Sequence, residues 1–160
     1  MDINYLGLSS FKIKGKSASV VIDPVKPVEA DIIVPGKIIN GPGEYEIKGV
    51  SILGFTFSDQ VVYVYEIDGL RICHLGKIEK NLTDEMIEDL GDIDVLLISV
   101  GSNAGEIIRG IEPKIIIPMN YENIDQFLKE VGISAERLPK LSIKKEELGE
   151  NQKIIILDRK

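Results

Sequence analysis

His74 and Cys73 are the only histidine and the only cysteine in the chain, and they limit the chemistry it can perform. Transition-metal hydrolytic sites draw most of their ligands from His and Cys, about three or more per ion, so this pair cannot build one alone. Oxygen ligands would suffice for Mg²⁺ or Ca²⁺, yet no acidic cluster has a loop-like spacing such as Asp-x-Asp-x-Asp-Gly. Cys73 lies in an apolar run with no second histidine to activate it, which makes it a core residue rather than a nucleophile. Ser9-Ser10 lacks the setting of a nucleophile elbow, and Gly41-Pro42-Gly43 lacks the Lys-Ser/Thr and the helix of a phosphate loop. Glu44 and Glu46 flank Tyr45 and share one face of a strand, either as solvated edge charges or as an acid–base pair.

These residues sit in a chain of 160 residues, 44% hydrophobic and 28% charged, which is the size and composition of one globular domain spanning 1–160. With 19 basic against 26 acidic residues the net charge is −7, which opposes binding to nucleic acid. No run approaches the roughly 18 to 20 apolar residues of a membrane span, and the N-terminus has no basic region leading into an apolar core. A lone cysteine forms no internal disulfide. A soluble, cytoplasmic protein without membrane contact is the expectation.

The first half reads as short strands and tight turns. Asn4 to Leu8, Phe11 to Lys14 and Ala18 to Ile22 form an antiparallel meander, and Ile32 to Val34 and Ile38-Ile39 flank Pro35-Gly36. Tyr45 to Ile47 and Val50 to Phe57 follow. Val61 to Ile67 and Leu70 to Leu75 are joined by Asp68-Gly69, which favours a type I′ hairpin turn. In the second half, Thr83 caps a helix carrying Met86, Ile87 and Leu90, and Gly91 stops it. Val95 to Ser99 and Ile115 to Ile117 are wholly apolar, as strands covered on both faces are, with a short helix near Gly105 to Arg109 between them and Pro118 as terminator. Ile124, Phe127, Leu128 and Val131 have helical spacing before Gly132, and Ile154 to Leu157 closes the chain as a strand.

Several segments in order resemble the metallo-β-lactamase fold superfamily, in particular its small Zn-dependent-hydrolase-like branch. They are Tyr5 to Phe11, Val21-Ile22-Asp23-Pro24, Gly41 to Val50, Gly69 to Gly76, Leu82 to Glu85, Asp94 to Ile98 and Pro113 to Tyr121. The resemblance implies an αββα four-layer sandwich of reduced size, two mixed sheets with helices outside, and a site at one edge of the sheets. It also implies zinc, and here the chain departs from the pattern. Leu8 stands where the branch has a histidine, and Pro35-Gly36-Lys37 replaces the loop that carries His-x-His-x-Asp-His. No histidine precedes Ser58, Lys77 takes the place of the metal-bridging aspartate, and Asn120 that of the last histidine, beside Tyr121. Leu8 has no donor atom, Asn120 offers a weak neutral oxygen, and Lys77 brings an ammonium.

The vestigial pocket residues are therefore Leu8, Asp23, His74, Lys77, Asn120 and Tyr121, with no catalytic residue and no metal ligand assigned among them. His74 matches a non-ligand histidine, a structural imidazole with a general base as the alternative. Lys77 is a solvated loop lysine, a replacement for the metal charge beside Asp23, or a substrate-binding group. Asp23 is a turn-forming or a pocket carboxylate. The expectation is a metal-free, non-catalytic protein that binds a protein partner or assembles with itself; the alternative is a hydrolase with a rebuilt site.

Overall fold

The computed structural model describes residues 1–160. β1 (Asp2–Gly7), β2 (Ser10–Lys14) and β3 (Ser19–Ile22) pair antiparallel, as the turn residues between them require, and β4 (Ile32–Val34) adds parallel to β3. With β12 (Leu141–Ser142) against β1, they form a five-stranded mixed sheet. The second sheet has eight strands. β5 (Gly43–Ile47), β6 (Val50–Phe57), β7 (Gln60–Ile67) and β8 (Leu70–His74) make an antiparallel run, then β9 (Val95–Ser99), β10 (Ile115–Met119), β13 (Lys153–Leu157) and β11 (Ala135–Leu138) continue it in parallel.

Strand alternation assigns each side chain to one of two cores. Ile13, Val20, Ile52, Tyr65, Leu97 and Ile117 fill the space between the sheets. Val64, Leu96 and Ile116, on the opposite face of the larger sheet, pack against Leu90, Ile107, Ile108 and Phe127. Those four belong to α1 (Asp84–Leu90), the loop-linked α2 (Ala104–Ile111) and α3 (Asp125–Val131). The fold is a metallo-β-lactamase-type arrangement of two mixed sheets with helices outside, as expected, at a reduced size in which all three α-helices cover the eight-stranded sheet and the fourth layer, an α-helix outside the five-stranded sheet, is missing. β9 up to Ile98 and all of β10 are apolar because each alternates between the two cores. Thr83 Oγ1 accepts from Met86 N at 3.2 Å and starts α1; Gly91 ends it.

Two expectations are corrected. Ile38-Ile39 is no strand: Gly36 N donates to Ile39 O at 2.8 Å, closing a turn that buries Ile39 and leaves Ile38 exposed. Pro118 does not terminate its strand, since β10 runs to Met119. Ile115 N points to Asp94 O on the β9 side, so alternation turns position 118 towards β13, whose pairing ends at Ile116; the N–H that proline lacks has no partner there.

Candidate functional site

The carboxyl ends of three neighbouring parallel strands meet the meander at one edge of the sandwich. β8 ends on His74, β9 on Ser99, and Asn120 follows β10, while Leu8 lies in the β1–β2 turn and Asp23 follows β3. Open α/β sheets place their ligand crevices at such strand ends. Leu8, Asp23 and Asn120 each hold a left-handed backbone, with φ of 55°, 45° and 55°. Asp and Asn adopt that conformation readily through their short polar side chains, whereas a leucine held there costs of order 1 kcal/mol.

Hydrogen bonds tie these turns together. Leu8 O accepts from Tyr5 OH at 2.9 Å and from Asn120 N at 3.2 Å. The Asn120 amide nitrogen donates to Ser99 Oγ at 2.9 Å, and that hydroxyl donates on to Gly76 O at 2.9 Å. His74 is 5% exposed. Its Nε2 donates to Ser9 O at 2.8 Å, and Asp23 Oδ2 stands 3.7 Å from the same nitrogen. Burial holds the His74 pKa below the ordinary histidine value, against the opposing pull of the Asp23 charge and of the hydrogen bond to Ser9, so the ring is neutral at pH 7. Phe11 meets the ring edge-on at 6.2 Å.

The structure brings Leu8, Asp23, His74 and Asn120 to one edge, and Lys77 lines a neighbouring cavity of about 340 Å³ with Ser99 and Asn120. The Lys77 side chain is 79% exposed and its only ion pair is with Glu79 at 3.8 Å, so it supplies no charge to Asp23. Tyr121 is half-buried, which raises its phenol pKa, and it lines a cavity of about 500 Å³ with Tyr5, Leu8, Asn120, Arg137 and Arg159. Glu44 and Glu46 are exposed on the edge strand β5, far in the sheet order from β8 and β9. Cys73 is buried and its thiol is pushed far above the ordinary range, which leaves no thiolate. Ser10 is fully buried with its hydroxyl unpartnered, and the imidazole engages the Ser9 carbonyl instead. Ser99 and Arg159 are site residues that sequence reasoning missed. Ser99 reads as the end of an apolar run, and the signal for Arg159 lay at Gly7, as shown below.

The description "beta-lactamase superfamily domain" fits residues 35–120, more than half of the chain. The chain belongs to the metallo-β-lactamase superfamily. A Thermotoga maritima protein described as a candidate Zn-dependent hydrolase of that superfamily superposes with a TM-score of 0.86 at 28% identity, over 98% of each chain. Igni18, a metallo hydrolase from Ignicoccus hospitalis, shares the fold at TM-score 0.62 and 14% identity, over 82% of this chain and 90% of its own. A variant of the β-hydroxylase CmlA shares it at TM-score 0.61 and 10% identity, over 98% of this chain and 52% of that one. No curated protein matches the chain.

Whether the superfamily's zinc would fit is decided by the donors on this edge. Leu8 has none, the Asn120 amide nitrogen is committed to Ser99, and Lys77 is a cation facing solvent. The Nε2 of His74 is committed to Ser9 O, which leaves the Asp23 carboxylate as the one free anionic donor among the six pocket residues. Nowhere in the chain do three His, Cys, Asp or Glu side chains converge. These residues do not fit a zinc ion, which needs three or four such ligands.

Proposed function

We propose that the chain is a metal-free, non-catalytic member of the superfamily, a pseudoenzyme that works in the cytoplasm by binding a partner or by assembling with itself. The observation that supports this best is the substitution of ligand positions by Leu8, Lys77 and Asn120 on an edge whose one imidazole is buried and bonded to a backbone carbonyl. Without a metal ion, water keeps its pKa of about 15.7 and supplies no hydroxide at neutral pH. Among the other candidates, the Cys73 thiol is buried and held protonated, and Glu44 and Glu46 lie on the edge strand β5. Binding needs only the retained backbone and the cavity beside it.

The test is a turnover screen of untagged protein on ester, phosphodiester and lactone substrates, with and without added zinc. The expected result is no turnover above buffer in either condition. Zinc-dependent turnover that is lost in Asp23→Asn would replace this reading with a hydrolase whose site has been rebuilt.

A further inference from the structure

Beyond β13 the chain crosses from the larger sheet to the smaller one at the site edge. Asp158 N donates to Leu138 O at 3.0 Å and Lys160 N to Tyr5 O at 2.9 Å, with Arg159 bridged in parallel to Tyr5. This crossing lays the Arg159 side chain across Gly7. A Cβ on residue 7 would stand 2.4 Å from Arg159 Nε and 2.9 Å from its Cζ, and the φ of 107° there also calls for glycine. The guanidinium is therefore seated against backbone rather than free to sweep.

The other three arginines all have carboxylate partners: Arg71 pairs with Glu66, Arg109 with Glu106 and Arg137 with Asp158. Arg159 has no ion pair and no side-chain hydrogen bond, although the chain carries a net charge of −7, because its neighbour Asp158 is taken by Arg137. It lines the 500 Å³ cavity together with Tyr5, Leu8, Tyr121 and Leu157. Arg137, Asp158 and Glu122 lie on the same cavity; Arg137 and Asp158 offset each other, and Glu122 opposes a second negative charge.

We propose that this cavity binds a small monocarboxylate, which Arg159 holds through a two-pronged hydrogen-bonded ion pair while the tyrosines and leucines enclose an apolar body. A planar guanidinium matches the two oxygens of a carboxylate, and small-molecule sites combine apolar walls with a few oriented polar groups; here Tyr5, Leu8, Tyr121 and Leu157 supply the apolar part. A dianion is disfavoured by Glu122, which has no cationic partner. The inference rests on reading this edge as a binding site rather than a hydrolytic centre.

Titration of ¹⁵N-labelled, untagged protein with benzoate in EDTA, with benzamide and phenyl phosphate in parallel, tests it. Benzoate is expected to shift the Leu8, Asn120 and Tyr121 amides and the Arg159 Nε–H saturably, with benzamide and phenyl phosphate about tenfold weaker or more. Arg159→Gln and Arg159→Lys should each weaken benzoate by about tenfold or more with an otherwise unchanged spectrum, Lys included because it lacks the planar fork. No saturable shift, equal binding of benzamide, tighter binding of phenyl phosphate or undiminished binding by Arg159→Gln would each overturn the proposal. The two readings fail separately: zinc-dependent turnover removes the pseudoenzyme without touching a benzoate shift, and a missing benzoate shift leaves the metal-free reading intact.

Discussion

Where the parallel strands begin, Asp94 is 8% exposed and accepts from Arg71 N at 2.8 Å and from Lys145 Nζ at 2.8 Å on each oxygen. Its own carbonyl takes the N–H groups of Lys114 and Ile115. Where those strands finish, Asp23 keeps about a third of its side chain exposed and has only the neutral His74 within reach, at 3.7 Å. One end is thus a closed set of donors and acceptors, whereas the other holds three left-handed residues, a buried imidazole and an open cavity. Paired charges are concentrated at the first end, and unpaired polar groups at the second. The two ends of the sheet are thus held by different bonds.

The sharpest way to break this contrast is to remove each carboxylate in turn. Asp94→Ala strands a buried N–H and a cation, and should cost about 2–3 kcal/mol in urea unfolding, while Asp23→Ala should cost less than about 1 kcal/mol. Equal losses would mean that the site end is as closed as the other. Next in size is the pH dependence. Burial lowers the pKa of His74 in the folded state, so the unfolded chain binds the proton more readily. Stability is then full above about pH 6.5 and falls as pH drops below it, by at most about 1.4 kcal/mol per unit, until the folded ring also protonates. His74 is the single histidine, so between about pH 6.5 and 5 this slope should vanish in His74→Phe.

How much of this was legible in the sequence differs by element. The β7–β8 hairpin was plain because Asp68 and Gly69, at φ of 53° and 79°, are the residues that a left-handed two-residue turn selects. Val95 to Ser99 was plain because both faces are buried. β11 was missed: Ala135–Leu138 is largely exposed and carries no strand pattern, and only its distant partner β13 makes it extended. Ile38-Ile39 misled because two isoleucines satisfy strand propensity, while a local hydrogen bond from Gly36 decides the conformation. In the site, resemblance placed Leu8, Asp23, His74 and Asn120 on one edge, but it could not tell that Lys77 pairs with Glu79 rather than Asp23 or that Arg159 arrives from beyond the last strand. Loop direction and cross-sheet contacts leave no periodicity to read.

Smaller effects sharpen the site end. Leu8 is 61% exposed at φ 55°, so Leu8→Asn relieves a strained backbone with little lost burial and should raise stability by about 0.5–1 kcal/mol in thermal denaturation. A loss instead would show that the leucine side chain packs against something essential. Lys77→Ala should change stability by less than about 0.5 kcal/mol, since its one ion pair is exposed. A larger loss would return Lys77 to the role of a substitute charge beside Asp23.

Metal content tests the central claim most directly: untagged protein is dialysed against excess zinc, then against buffer, and analysed by elemental mass spectrometry. The account predicts a zinc-to-chain ratio near zero and a denaturation temperature unmoved by zinc. A ratio of about one or two, removed by a chelator together with a fall in denaturation temperature, would contradict it.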